Sequence, residues 1–308
     1  MVAAMPQRAV IIDTDPGTDD AVALWLALAA PELDVRLVTV AGANVGLDRT
    51  LANARAIVGL AGCDVPVVAG ADRPLLGAFR SETDVHGEDG LRGIALPEGP
   101  PAHPGIAADA IRAAIRATPG LTLVGIGPAT NLALALATEP ALAADVAEIV
   151  LMTGAWAEGN ITPSAEFNAW SDPEALALLA SCGRPLTLAT LELTAQAHVT
   201  PARVDALAGP GRCRAAAHAI LSAMRPSRRL PGGFPLHDPC AIAWLIAPGL
   251  FTTRPAHLHV ECGAGPARGR TVIDRWQRGG MAANVRLLET LDADGFFALL
   301  AKRLGRLP

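Results

Sequence analysis

The sequence predicts an α/β protein built on an open, mostly parallel, doubly wound (Rossmann-like) sheet, with helices on both faces and an antiparallel C-terminal extension. Short β-branched runs alternate with Ala/Leu-rich helical stretches over the first two-thirds of the chain. The predicted strands are apolar on both faces, which is typical of parallel strands covered by helices. No change in composition marks a linker within the 308 residues, so we predict a single domain over residues 1–308.

The predicted elements follow one another in a regular β-α order. The chain begins with a strand at 9–13, a helix at 19–30, a strand at 35–40, a helix at 49–61 and a strand at 65–68. A polar, Gly/Pro-rich stretch at about 70–104 lacks periodicity and is predicted as loop. The order then resumes with a helix at 106–118, a strand at 121–126, a helix at 131–137, a strand at 148–152, a loop at 154–171 and a helix at 173–182.

The last third of the chain departs from this order. Helices are predicted around residues 201–225 and 238–246, strands near 256–262, 270–274 and 282–287, and a helix at the C-terminus. We interpret this segment as an antiparallel extension of the same domain.

Composition excludes several classes of partner. The net charge is −5 and the basic residues are scattered, the longest group being Arg225, Arg228 and Arg229, so no nucleic-acid partner is expected. The longest apolar stretch, residues 21–30, is too short to span a bilayer, and the N-terminus lacks the features of a signal peptide. The five cysteines are far apart and indicate reduced thiols. We therefore expect a cytoplasmic protein with no membrane partner.

The most informative motif is the acidic turn, residues 13–20, in which Asp13, Asp15, Asp19 and Asp20 fall within eight residues. It follows an apolar strand and opens a helix, and Pro16-Gly17 predicts a tight turn that brings the carboxylates together. Such crowding is costly without a cation, because like charges raise one another's pKa. Oxygen ligands without His or Cys suit calcium or magnesium. For Asp19 and Asp20 alone, a favourable place in the first turn of a helix is a simpler interpretation.

Three further polar groups follow predicted strand ends or open helices at the same edge. They are the run His237-Asp238-Pro239-Cys240, the loop with Asn160, Glu166 and Asn168, and the segment 84–90 that contains His86. Each has a plain structural interpretation when taken alone, Asp238 as a helix N-cap and the others as solvated loop residues. Because right-handed crossovers place these loops at one edge of the sheet, the groups can converge on one pocket.

Over nearly its whole length the sequence resembles the inosine-uridine preferring nucleoside hydrolases. The matching motifs are DTDPGTDDA at 13–21, AGAN at 41–44, HGEDGL at 86–91, GPATNLA at 127–133, VLMTGAW at 150–156, EGN at 158–160, AEFN at 165–168 and HDPCAIA at 237–243. The resemblance implies a calcium-dependent enzyme that hydrolyses a small-molecule ribonucleoside to free base and ribose. It also implies a homodimer or homotetramer.

The resemblance assigns a role to each matching residue. Calcium would be held by Asp15, Asp20, Asp238 and the backbone carbonyl of Ile126, with Asp15 as the general base that activates a calcium-bound water. His237 would be a second catalytic residue, aiding departure of the base. The residues expected to contact the substrate are Asp19, Asn44, His86, Met152, Trp156, Asn160, Glu166, Phe167 and Asn168. A ring of carboxylates and amide oxygens suits the cation-like ribosyl centre of such a reaction.

Two other functions compete with this one. Asp13-x-Asp15 at a strand end resembles the motif of magnesium-dependent aspartate phosphatases, although Gly17 stands where that motif has Thr or Val and Lys302 is the only lysine. A non-catalytic ribose- or nucleoside-binding protein would keep the same pocket without turnover. The chain has no tyrosine, so aromatic contacts that relatives make to the base need other residues here, and purine, pyrimidine and modified bases all stay open.

Overall fold

Eleven strands and twelve α-helices make up the part of the chain that the computed structural model describes, residues 7–227 and 230–308. Arg228 and Arg229 of the basic group lie outside the described residues. The strands are β1 (Arg8–Thr14), β2 (Leu33–Val40), β3 (Val67–Ala69), β4 (Leu121–Gly125), β5 (Val146–Met152), β6 (Leu186–Ala189), β7 (His198–Val199), β8 (Phe234–Pro235), β9 (Phe251–Val260), β10 (Thr271–Asp274) and β11 (Val285–Leu291). The helices are α1 (Thr18–Leu28), α2 (Leu47–Ala61), α3 (Thr83–His86), α4 (Ala107–Ala117), α5 (Thr130–Thr138), α6 (Phe167–Ser171), α7 (Pro173–Ala180), α8 (Leu191–Thr194), α9 (Pro201–Leu207), α10 (Arg212–Ala223), α11 (Asp238–Ile246) and α12 (Ala293–Leu304).

Nine strands form one sheet in the order β10-β9-β11-β6-β5-β4-β1-β2-β3. From β3 to β11 each neighbouring pair is parallel, and β9 then runs antiparallel to both β11 and β10. β7 and β8 pair separately as a two-stranded ribbon. The predicted fold class, a mostly parallel sheet with an antiparallel C-terminal extension, is confirmed.

The strand order changes direction at β1. The chain moves outward from β1 through β2 and β3, and then adds β4 on the other side of β1. Loops that leave the carboxyl ends of two such strands diverge and open a crevice between them. Asp15 follows β1 and Ile126 follows β4, so the acidic turn lies at this crevice.

Two apolar layers cover the sheet, as the prediction of helices on both faces requires. Because side chains alternate along a strand, Ile12 packs on the side of α1, α2 and α11, and Ile11 packs on the side of α4, α5 and α7. Both isoleucines are completely buried. The Trp25 indole N–H also donates to the carbonyl of Ile57 at 3.0 Å, which joins α1 to α2 within one layer.

Several elements differ from the sequence prediction. The helix predicted at 201–225 is two helices, because Gly209-Pro210-Gly211 separates them and Gly211 adopts a φ of +104°. Strand β6 was not predicted; it is only four residues long and follows Pro185 directly. The predicted loop at 154–171 ends in the short helix α6, and the polar stretch at 70–104 contains β-bridged and helical residues, including α3.

The described residues contain no helix that is both long and apolar enough to cross a bilayer. The five cysteines, all within the described part of the chain, form no disulfide.

Candidate active site

A cavity of about 860 Å³ opens at the carboxyl edge of the sheet, above the crevice between β1 and β4. Most of the predicted site residues line it. These are Asp19, Asn44, His86, Ile126, Met152, Asn160, Glu166, Phe167, Asn168, His237 and Asp238. Asp15 and Asp20 lie directly beneath its surface and are almost completely buried. Residues from seven separate segments of sequence therefore meet at one place.

Asp20 closes the acidic turn through its carboxylate. One oxygen, Oδ1, accepts a hydrogen bond from Thr14 Oγ1 at 2.6 Å, and Oδ2 accepts from the Gly17 backbone N–H at 2.9 Å. The Asn44 side chain donates to Oδ2 as well, at 3.2 Å. Asp20 is thus held both by its own turn and by the loop after β2, as the predicted tight turn at Pro16-Gly17 requires.

Of the two carboxylate oxygens of Asp15, one is hydrogen-bonded within the described part of the chain and the other is not. The Asn44 backbone N–H donates to Asp15 Oδ2 at 2.9 Å, and the Asn44 side chain donates to the Asp15 carbonyl at 3.0 Å. The other carboxylate oxygen, Oδ1, is buried and has no hydrogen-bond partner among the described residues. Burial, and then repulsion from Asp20, raise the pKa of Asp15 well above its usual range. A buried acceptor of this kind calls for a cation or a proton.

Three more carboxylates meet beside Asp15. Asp19, Asp20 and Asp238, here called the acidic trio, each offer an oxygen within 4.8 Å of the others, and all three are buried. Burial and then the neighbouring aspartates raise the pKa of Asp238 well above its usual range, and the same two causes raise that of Asp20. Hard oxygen donors crowded in a buried place fit a divalent cation of the calcium or magnesium type.

The trio differs in one member from the ligand set implied by the resemblance. It contains Asp19, which was predicted to bind the sugar, whereas the predicted ligand Asp15 lies below it. The carbonyl of Ile126, the fourth predicted ligand, accepts a hydrogen bond from the Asn168 side chain at 3.0 Å. The oxygens of Asp15, the trio and Ile126 are all donors that a hard cation accepts, so the residues present fit such a group.

Asn168 and Glu166 line the cavity beside the ends of β4 and β5. The Asn168 amide donates to the carbonyls of Ile126 and Met152, both at 3.0 Å, and so joins the ends of β4 and β5. Glu166 is the N-cap of α6, and its carboxylate accepts from the backbone N–H groups of Gly154, Asn168 and Ala169 at 2.8, 2.8 and 3.0 Å. Both Glu166 oxygens therefore already have protein donors, which favours a role in positioning Asn168.

Two histidines form another part of the cavity wall. His86 is buried at the end of α3, and its Nδ1 accepts a hydrogen bond from the Thr18 backbone N–H at 3.1 Å. Burial lowers the pKa of His86 to about 4. The imidazole is therefore neutral near pH 7, with its proton on Nε2. Taken alone, the segment with His86 was expected to be a solvated loop, whereas in the structure the His86 side chain is buried against Thr18 of α1.

His237 directly precedes α11 and its first residue, Asp238. Its Nδ1 lies 2.7 Å from Thr194 Oγ1, and burial lowers its pKa. The ring is thus oriented by α8 while the backbone is fixed beside a carboxylate of the trio.

Comparison with known proteins agrees with this geometry. A sequence profile described as inosine-uridine preferring nucleoside hydrolase matches residues 10–298. The chain belongs to this family. The assignment removes the aspartate phosphatase alternative, since the acidic turn is the family's own motif at the start of the matched region.

Individual members of the nucleoside hydrolase family match over almost the whole chain. The pyrimidine-specific ribonucleoside hydrolase RihA of Shewanella woodyi is 41% identical, covering 96% of this chain and 98% of the relative. The non-specific ribonucleoside hydrolase RihC of Salmonella typhi is 38% identical, covering 97% and 98%. Among solved structures, a purine-preferring ribonucleoside hydrolase from Gardnerella vaginalis superposes with a TM-score of 0.88 at 29% identity, covering 97% of this chain and 99% of that one. The plant nucleoside hydrolase PpNRh1 gives a TM-score of 0.87 at 32% identity, with the same coverage.

One predicted substrate contact of this nucleoside hydrolase is not supported. Trp156 lies outside the cavity wall formed by the described residues, because its ring stacks under the Arg275 guanidinium at 4.1 Å from the ring centroid. Phe167, the other predicted aromatic contact, does line the cavity.

The sequence prediction missed several charged residues of the cavity mouth in this nucleoside hydrolase. Glu82, Asp84, Arg92 and Arg225 line the mouth. Arg225 was noted in the sequence as a member of the basic group and was not assigned a role. Arg92 is held by the carbonyls of Val85 and Asp84 at 2.7 and 2.8 Å. Asp84 belongs to the predicted segment 84–90, and the signal that would have found Glu82 and Arg92 is their place on either side of the HGEDGL motif at 86–91.

Proposed function

We propose that this chain hydrolyses the N-glycosidic bond of ribonucleosides to free base and ribose, with Asp15 as the general base toward the attacking water. The observation that carries the proposal is the unpartnered Oδ1 of Asp15, buried beneath a cavity lined by the family motifs. Burial and repulsion from the neighbouring aspartates raise the pKa of Asp15, which makes its carboxylate a stronger base. The names of the relatives, which include pyrimidine-specific, non-specific and purine-preferring ribonucleoside hydrolases, support the reaction class.

We further propose that calcium is the cation of the site. The residues that would hold it are Asp15, Asp20, Asp238 and the carbonyl of Ile126, with Asp19 close enough to join them. When bound, the cation would supply Lewis-acid chemistry that lowers the pKa of the attacking water. Support comes from the donor set, which is entirely oxygen, and from the mutual repulsion of carboxylates that a cation would relieve.

The sugar would be bound by residues that line the cavity. Asp19, Asn160 and Asn168 all line the cavity, and Asn168 is held at the carbonyls that end β4 and β5. Carboxylate and amide oxygens placed around the ribose stabilise the positive charge that develops at the anomeric carbon. Asn44 would act mainly by fixing Asp15 and Asp20, since its side chain donates to both residues.

The base would leave on the side of the two histidines. His237 would donate a proton to the departing base, and the Nε2–H of His86 would donate a hydrogen bond to a base acceptor. Both roles need an N–H that faces the cavity, and the contacts of Nδ1 with Thr194 and Thr18 leave Nε2 for this purpose.

The test is a panel of ribonucleosides assayed for released ribose, with the protein first treated with chelator and then supplied with calcium or magnesium. We expect turnover that calcium restores and that the Asp15→Asn variant lacks. Tight nucleoside binding without turnover would support the non-catalytic alternative instead. Full activity in the chelator-treated protein would contradict the calcium proposal and leave the reaction class standing.

We also propose that the protein acts in the cytoplasm as a homodimer or homotetramer of one-domain subunits. The unpaired cysteines suit a reducing compartment. The single large sheet, which takes strands from both ends of the chain, supports one domain. Light scattering during size-exclusion chromatography measures the oligomeric state, and a monomer would contradict this proposal.

A further inference from the structure

A buried hydrogen-bond network lies beneath the acidic turn and has no part in the chemistry proposed above. This Asp13 network consists of Asp13, Thr39 and Asn131. Oδ1 of Asp13 accepts from Thr39 Oγ1 at 2.6 Å and from the Asn131 side chain at 2.9 Å. All three residues are almost completely inaccessible. The network joins β1 to β2 and to the first turn of α5.

The network also reaches the ends of two other strands. The Asn131 side-chain oxygen accepts from the Ala71 backbone N–H at 2.9 Å, just beyond β3. The Asp13 carbonyl accepts from the Ile126 backbone N–H at 2.9 Å, just beyond β4. Asp13 therefore holds both sides of the point at which the strand order changes direction.

The position of Asp13 in the sheet is the last at which β1 is still paired with β4. Asp13 lies opposite Gly125, and the Ile126 backbone N–H just beyond this pair still donates to the Asp13 carbonyl. Asp15 and Ile126 both follow this last pair and have no further ladder partner across the crevice. The contacts that fix the strand ends at Asp13 therefore bear on the separation between Asp15 and Ile126.

The backbone leaves room for this network at Gly70. A Cβ at that position would lie only 2.6 Å from Asn131 Cγ, which is overlap with the amide. Gly70 does not have a positive φ, so a glycine is needed here for space and not for backbone conformation. The network thus depends on residues 13, 39, 70 and 131, which are distant in sequence.

We infer that Asp13 is a positioning residue that, through Thr39 and Asn131, sets the distance between Asp15 and the Ile126 carbonyl and thereby the cation affinity of the site. This inference rests on the proposed function, because it assumes a cation between those two groups. Residues that orient metal ligands without touching the metal typically change metal affinity by roughly 10–100-fold when mutated.

The experiment measures calcium binding to the chelator-treated full chain by isothermal titration calorimetry, together with the thermal midpoint. Asn131→Ala removes one bond of the network, and Gly70→Ala displaces the same amide without removing a polar group. The matched control is Thr187→Val on β6, which removes a part-buried 2.7 Å hydrogen bond from a fully buried hydroxyl to Glu148, outside the cavity wall. We expect about tenfold or greater weakening of calcium binding in both network variants, and unchanged binding in the control despite a similar fall in midpoint.

Equal calcium affinity in wild type and Asn131→Ala would overturn the inference and show that the network only stabilises the fold. Absence of calcium binding in the wild type would instead overturn the cation proposal on which the inference rests, so the two failures are distinct. If Asn131→Ala does not fold, Thr39→Val decides, since it keeps the shape of the side chain and loses only its hydroxyl. Calcium affinity of Thr39→Val equal to wild type would likewise overturn the inference.

Discussion

Gly127 packs so closely against Asp15 that a single methyl group there should disable the site. A Cβ at position 127 would lie 2.5 Å from Asp15 Oδ1, 3.0 Å from its Cγ and 3.1 Å from its backbone nitrogen. Ordinary contact begins near 3.4 Å, so the carboxylate has to move by about 0.9 Å. Asp15 cannot simply rotate, because Asn44 holds both its Oδ2 and its carbonyl.

A displacement of about 1 Å at a reacting group costs on the order of 10²-fold in rate. We therefore expect Gly127→Ala to lower kcat by about 10²-fold for any ribonucleoside that the wild type hydrolyses. Initial rates of ribose release across a range of substrate concentrations measure this loss, and the thermal midpoint shows whether the variant is folded.

Gly249→Ala is the matched control for this variant. Gly249 lies in the short 3-10 turn Pro248–Leu250, has no positive φ, and would place its new methyl group in open space. This control should keep its kcat within about twofold of wild type. A folded Gly127→Ala protein whose kcat falls by less than threefold would refute the argument, because the carboxylate would then be free to move or not needed.

Three further predictions concern the catalytic and substrate-binding residues. Asp15→Asn should lower kcat by at least ~10³-fold through combined loss of the base and damage to the cation site, and a variant that keeps a tenth of the rate would place the base elsewhere. Uridine should be preferred over deoxyuridine by about 10²-fold, because removing the 2′-hydroxyl leaves buried polar groups without a partner; equal turnover would contradict the sugar-binding roles of Asp19 and Asn168. His237→Ala should lower kcat for natural nucleosides and largely spare a nitrophenyl riboside, whose leaving group needs no proton, while His86→Ala should raise KM for both; equal losses on the two substrates would reject the acid role of His237.

The strands and the acidic turn could be predicted because their signals are local. β1, β2, β4 and β5 each carry a run of buried residues that leads to the carboxyl edge, and the four aspartates of the turn fall within eight residues. A tight turn between a strand and a helix brings these aspartates together through local structure alone. Convergence of the remaining groups then followed from the single rule that parallel strands end at one edge.

Contacts between distant segments could not be predicted in this way. The ring of Trp156 is held by Arg275, which lies on the segment beyond β10, and no periodicity of either segment indicates that partner. The hydrogen bond from Thr18 to His86 also joins distant segments, and it holds His86 in the cavity wall. Strand β6, which is only four residues long, was also missed.

Three glycines that follow strands at the carboxyl edge are required for space around the site. Added methyl groups at Gly17, Gly70 and Gly127 would overlap with His86, Asn131 and Asp15 respectively, and none of the three glycines has a positive φ. Glycine is therefore required at these positions by the close approach of backbone to a functional side chain. Each of the three glycines follows a strand of the carboxyl edge, where backbone segments converge most tightly. The sequence around the site thus specifies the polar side chains, and it also specifies the glycines that leave space for those side chains.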